Sequence, residues 1–369
     1  MNLKNIATKG LYIAFFMPLL GTALPAYAWF LMIILLLCLA RKAKIKPKDI
    51  FFLLGILLLF VVKLQQVGLP MTELLFRYFF GYVLVYIYCQ VTGAEINIRK
   101  LIIYYCYEVL IEALLINTIL PANLWLNYPV SNGTMVHSTN FFGFYQRPYS
   151  VGTNATISSV ILVFLLLYYE TLRKQKLVGP LGRKIDWMAA LTIFSFVSGG
   201  GIVFYLFYWG YRLNLYTQWR NAIGLLLFIG ICIGITFYAS TLEANHALRK
   251  ISSTYLEFLL EFKQNQIEDT ILVLNRDSWY IGANYTAYDE APLLWNDFSI
   301  RDLTHSLGLL GLLGLWIFLF SHMNRFNWII GALAFLSTFH YGTIFALPGA
   351  IIMAYGLSLD KRKIHTFAL

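Results

Sequence analysis

Charge is scarce in this sequence. Asp, Glu, Lys and Arg make up 12% of its 369 residues and hydrophobic residues 59%, where an ordinary soluble domain carries about 25% charged and 45–50% apolar residues. That balance excludes a soluble enzyme. Cysteine is scarce too: Cys38, Cys89, Cys106 and Cys232 all fall inside apolar runs with no His or Cys two or three positions away, which excludes a disulfide framework and a zinc site. There is no self-similarity at a period of ~20–50 residues and no pair of matching halves, which speaks against a secondary transporter. Basic residues exceed acidic ones, 28 to 18, but they lie in short islands between apolar runs, not in a patch that would suit nucleic acid.

What is present is apolar sequence in pieces long enough to cross a bilayer. Runs lie at 10–22, 26–40, 50–66, 72–92, 101–120, 153–170, 187–210, 222–240, 304–320, 328–341 and 343–358. The first resembles a secretory signal, with Lys4, Lys9 and an Ala26-Tyr27-Ala28 tripeptide, but the apolar sequence resumes at Trp29, so an uncleaved first span is expected. Three N-x-T sequons, at Asn132, Asn154 and Asn284, carry meaning only if the source glycosylates them.

The basic islands orient the chain. Arg41 to Lys48, Arg173 to Lys184 and Lys361 to Lys363 are cytoplasmic by the positive-inside rule. An even number of runs separates the first two islands, as required, whereas an odd number follows residue 186. One run must therefore be two. Ser198-Gly199-Gly200-Gly201 interrupts 187–210 at its centre, and glycine turns a backbone tightly. Splitting that run gives an all-α polytopic bundle of about twelve spans with both termini inside. It divides into spans and an outward loop (121–152) over 1–240, an outward cap over 241–303, and the last spans with a cytoplasmic tail over 304–369. The cap carries ten of the 18 acids. Within it, Tyr255, Leu259, Phe262, Ile267, Ile271 and Leu274 recur near a helical period, which predicts an amphipathic helix.

Several residues at the outward mouths can do chemistry. Loop 121–152 holds one Lys or Arg, Arg147, and no acid. Flanked by Tyr145, Tyr149 and Asn154, it is either a planar fork for a phosphate or an interfacial arginine snorkelling to headgroups. Arg301, Asp302 and His305 stand where a span begins, with Arg301 and His305 one turn apart. His305 reads as a base or phosphate donor, or as an interfacial polar residue. Gly308, Gly311 and Gly314 recur every third residue, a stripe that lets another helix approach. His340 can line the same mouth or serve the structure, and His322, on the inner side, is given no role. Arg77, Glu108 and Glu112 lie inside the apolar runs, as a buried Arg77–Glu112 pair or as groups beside the site.

The outward Arg147-Pro148-Tyr149-Ser150 ahead of a span, the Ser/Gly turn in a split run, the large late outward loop, and Asp302/His305 before Gly-Leu-Leu-Gly together resemble the bacterial O-antigen polymerase and O-antigen ligase superfamily, and within it the Wzy-type polysaccharide polymerases. The resemblance implies a GT-C-like inner-membrane glycosyltransferase that uses neither nucleotide sugar, metal nor cofactor. It would join oligosaccharide repeats carried on undecaprenyl diphosphate, in contact with membrane lipid and a chain-length regulator protein. It implies His305, Arg147 and Arg301 as catalytic residues and Arg276, Tyr149, Asn154, Asp302, His340 and Arg77 as substrate-binding ones. Two positions depart from the family: its Ser-Arg-Gly reads Ser198-Gly199-Gly200, and its His-Asn reads His305-Ser306. A flippase or transporter of lipid-linked glycans and an O-antigen ligase are the alternatives. A membrane acyltransferase would want its histidine facing the cytosol.

Overall fold

The computed structural model describes residues 3–20, 24–40, 45–118, 130–131, 134–135, 145–214, 257, 260–261, 264–268, 270–271, 279–282, 299–324, 327–339 and 342–358. Among these residues the architecture is helical. The helices are α1 (Leu3–Phe16), α2 (Leu24–Leu39), α3 (Pro47–Thr92), α4 (Ile98–Thr118), α5 (Ala155–Lys174), α6 (Arg183–Ser195), α7 (Gly199–Arg212), α8 (Ser299–His322), α9 (Trp328–Ser337) and α10 (Leu347–Leu357). One antiparallel ladder of two-residue strands pairs Val130 with Met135 and Ser131 with Thr134. Among the described residues, four helical segments are long and apolar enough to cross a membrane: Pro47–Pro70, Ile98–Thr118, Ala155–Lys174 and Ser299–His322. The protein is thus a helical membrane protein.

α3 is two antiparallel arms. At Gly68 the backbone takes φ 76°, ψ 169°, a region open to glycine and closed to nearly every other residue. The rings of Phe60 and Phe76, placed symmetrically about Gly68, meet at 5.1 Å, whereas a continuous helix would hold them about 24 Å apart. The separate runs 50–66 and 72–92 are the two arms. The run at 187–210 likewise divides into α6 and α7, with Ser198 at the turn. Its Oγ caps α7 by accepting from Gly201 N at 3.2 Å, and the far ends of the hairpin are clasped by Arg212 and Asp186 at 2.5 and 2.8 Å.

α8 departs from its expected form. The glycine stripe predicted a close helix approach, but Gly308 is a break, with φ 64°, ψ −164°. The segment 279–282 lies across it. Trp279 O and Tyr280 O accept from Leu309 N and Leu310 N at 2.9 and 3.0 Å, so this strap caps the helix that restarts after the break. Gly311 packs on its own helix at Leu307 and Leu303, and Gly314 alone of the three faces another helix, at Phe80.

α5 and α10 form the centre. Every α10 residue is buried, and so is all of α5 from Ile157 to Leu172, as expected of helices apolar on all sides. α4, α6, α7, α9 and α10 pack around α5. Aromatic rings bind the flank: Tyr82 and Tyr86 of α3 lie edge-on to Phe318 of α8 at 5.1 and 5.3 Å. Lipid is as apolar as these side chains, so close packing and interhelical hydrogen bonds hold the bundle together.

Lys48, Lys174 and Arg212 share one end. Lys48 donates to Ser321 O at 2.8 Å, Lys174 reaches Tyr211 O and Asn214, and Arg212 closes the α6–α7 hairpin there. The starts of α5, α7 and α10 lie at the opposite end, together with Ser150, Ser198 and the 343–345 turn. In the acidic segment, residues 257, 260–261, 264–268 and 270–271 are helical, as predicted, but the buried side is a different one. Ile267 and Ile271 are exposed, whereas Gln266 and Thr270 are buried and Thr270 Oγ1 donates to Gln266 O. Tyr255, Leu259, Phe262 and Leu274 lie outside the described residues.

Candidate functional site

The turn bearing Arg147 is shaped by α4. Polar residues interrupt that apolar helix at Tyr105, Glu108, Glu112 and Asn117, and each is used. Asn117 Oδ1 accepts from Gln146 N and its Nδ2 donates to Gln146 O, both at 2.7 Å. Glu112 receives Tyr149 N on one oxygen and Ser150 N on the other, both at 3.0 Å. Ser150 Oγ donates to Glu108 at 2.5 Å, and Tyr105 donates to Ser158 O at 2.8 Å. Ser158 Oγ in turn accepts from Gly152 N and donates to Tyr149 O.

This network sustains an unusual backbone. Ser150 and Thr153 carry φ of 51° and 54°, a region few non-glycine residues occupy and one held at functional turns by surrounding contacts. Arg147 projects from the turn with its guanidinium carbon 5.9 Å from the Tyr149 ring centroid, within cation–π range. Tyr145 Oη donates to Ser195 O at 2.6 Å and ties the turn to the end of α6. Burial pushes its phenol up to about 12, so it remains a donor at neutral pH.

Of the expected ligand residues, Asn154 is spent on structure: its Oδ1 accepts from Thr156 N at 2.8 Å and caps α5. Tyr149 is 4% exposed and packs beneath Arg147, with no open face for a sugar. Arg77 pairs with Glu73 at 3.5 Å, and Glu112 holds backbone amides, so the expected Arg77–Glu112 pair is absent. That pairing was argued from shared depth in the membrane, but each group has a nearer partner. Arg276 and His340 lie outside the described residues.

The second group stands on the first part of α8. Asp302 and His305 are buried and Arg301 is partly exposed. The helix is placed by Ile300 N donating to Thr338 O at 3.2 Å and by Gly342 N donating to Ser299 Oγ at 2.5 Å. A Cβ on Gly282 would lie 2.7 Å from His305 O, so the 279–282 strap presses on the histidine's own turn. Trp279 and Tyr280, edge-on at 5.8 Å and both more than two-fifths exposed, give the strap an open aromatic face.

The two groups share the end opposite the basic one. The Ser150–Gly152 turn touches α10, and the 343–345 turn touches α5, α10 and α3 and leads through Gly342 to Ser299. Sequence reasoning missed Asn117, Ser158 and Ser198 as architects of this end. The signal for Asn117 was there, as a carboxamide in the apolar run that already holds Glu108 and Glu112. Ser198 was read only as part of a turn, and its bond to Thr156 Oγ1 at 3.0 Å needs the α5–α7 contact to appear. Comparison with protein-family models, curated proteins and solved structures gives no match to this chain.

Proposed function

We propose that this protein is a polysaccharide repeat-unit polymerase. In this reading it crosses the bacterial inner membrane about twelve times as a GT-C-like bundle and joins oligosaccharides carried on undecaprenyl diphosphate at the periplasmic face. The observation that carries the reading is the pinned Arg147 turn beside the starts of α5 and α7, whose first turns are linked by the Ser198–Thr156 bond. Helix N-termini favour anions, and an arginine fork suits a phosphate. One end of the bundle therefore combines positive helix poles, Arg147, Arg301 and a histidine.

The chemistry is economical. The acceptor sugar's hydroxyl oxygen attacks the anomeric carbon of the donor glycan, the bond from that carbon to the diphosphate oxygen breaks, and undecaprenyl diphosphate leaves with the electron pair. His305 takes the hydroxyl proton, and Arg147 and Arg301 offset the charge growing on the diphosphate. Trp279 and Tyr280 offer flat faces for sugar rings. Membrane lipid surrounds the site, and a chain-length regulator is the protein partner this activity calls for.

The test is the fate of the lipid-linked repeat in His305→Ala and Arg147→Ala cells. Single repeats should accumulate on the outer leaflet, open to an added lectin, with rates down by about 10²–10⁴ for the histidine variant. Repeats held inside would point to transport instead, and normal long chains in both variants would end the assignment.

A further inference from the structure

We infer that α4 is a template for the Arg147 turn, and that Glu112 and Asn117 are positioning residues acting through Arg147. The inference rests on the reading of Arg147 as a diphosphate-binding residue. The backbone is gripped on both sides of that arginine: at Gln146 by Asn117, and at Tyr149 and Ser150 by Glu112, with Glu108 holding the Ser150 hydroxyl. Between the grips lie only Arg147 and Pro148, and the proline ring fixes its own φ. The guanidinium is thus delivered from a backbone with little freedom left to lose on binding.

The residue types match the task. Two converging N–H groups need two acceptor oxygens, which a carboxylate has and a carboxamide lacks. A single residue's N–H and C=O need one acceptor and one donor, which a carboxamide has and a carboxylate lacks. Glu112→Gln and Asn117→Asp therefore each break one bond while keeping the shape. They also change charge in opposite directions: the first removes a negative charge near the site and the second adds one.

The experiment uses full-length protein in lipid nanodiscs, with inorganic pyrophosphate as the probe and hydrogen exchange of the 146–150 amides as an independent readout. Glu112→Gln should speed exchange of a gripped amide about tenfold or more, and so should Asn117→Leu, since Asn117→Asp keeps the acceptor for Gln146 N. Glu112→Gln and Asn117→Asp should both weaken pyrophosphate binding by about the same factor. In an Arg147→Ala background neither should weaken it further. Unchanged exchange would overturn the template. Binding that strengthens in Glu112→Gln and weakens in Asn117→Asp would show simple electrostatics and overturn positioning, as would equal losses with and without Arg147. If wild type and Arg147→Ala bind pyrophosphate indistinguishably, the diphosphate reading of Arg147 fails and the positioning role falls with it. The exchange data would then report separately whether the grip exists.

Discussion

His322 Nε2 lies 2.7 Å from Asp49 Oδ1, joining the last turn of α8 to the first turn of α3 across 273 residues of sequence. Both side chains are almost wholly buried, at 1% and 3% exposure. The other imidazole nitrogen, Nδ1, meets Phe318 O at 2.7 Å, and the Tyr86 and Phe318 rings enclose the histidine at 4.6 and 4.4 Å. An acid at a helix start and a histidine at a helix end each also suit the helix dipole.

Removing either partner leaves the other buried without its bond. His322→Ala and Asp49→Ala should each lower stability by about 1–3 kcal/mol, and the double variant should cost less than the sum. Thermal unfolding of the purified protein in detergent measures this. Additive losses would mean that the two residues act separately.

The two broken helices give a paired prediction. Gly68→Ala meets open space and pays only for a positive-φ, extended-ψ backbone closed to most side chains, about 1–3 kcal/mol. A Cβ on Gly308 would lie 2.5 Å from backbone atoms of Tyr280, Ile281 and Gly282, so Gly308→Ala must also displace the strap. It should be the more destabilising of the two and should open 279–282 to proteolysis. Equal losses and an uncut strap would contradict the packing described.

Asn154 separates a cap from a ligand. Asn154→Ala should cost about 0.5–2 kcal/mol of stability, and Asn154→Asp or Asn154→Ser should restore it, with the yield of polymer intact if the proposed function holds. A yield that collapses while the unfolding temperature holds would return Asn154 to the binding site.

Sidedness follows from the basic islands. In a background lacking the four cysteines, single cysteines at Asn132 and Asn284 should react with a membrane-impermeant thiol reagent in intact spheroplasts, and one at Gln175 should not. Labelling at Gln175 without Asn284 would invert the bundle.

Local features were legible in the sequence and pairings were not. The division of 187–210 was readable because a Ser-Gly-Gly-Gly tract inside an apolar run has few other uses, and the gap between 50–66 and 72–92 marked the α3 turn. Gly308 was visible but misread: spacing alone cannot distinguish a glycine that admits a neighbouring helix from one that breaks its own. Glu112 was recognised as costly at its depth, but its partners are backbone amides of a distant turn, which carry no signature in the sequence. His322 was passed over for a similar reason, since Asp49 becomes its neighbour only when α3 and α8 pack.

The burial of α5 has a consequence for biogenesis. It is long and apolar enough to cross a membrane, so its composition allows it to rest in the bilayer when it is first inserted. Four of the helices that enclose it, α6, α7, α9 and α10, follow it in the chain, and α10 is the last described. The centre of the molecule is therefore completed only when its last described helix has been synthesised, and a chain truncated before α10 would be inserted yet remain unassembled.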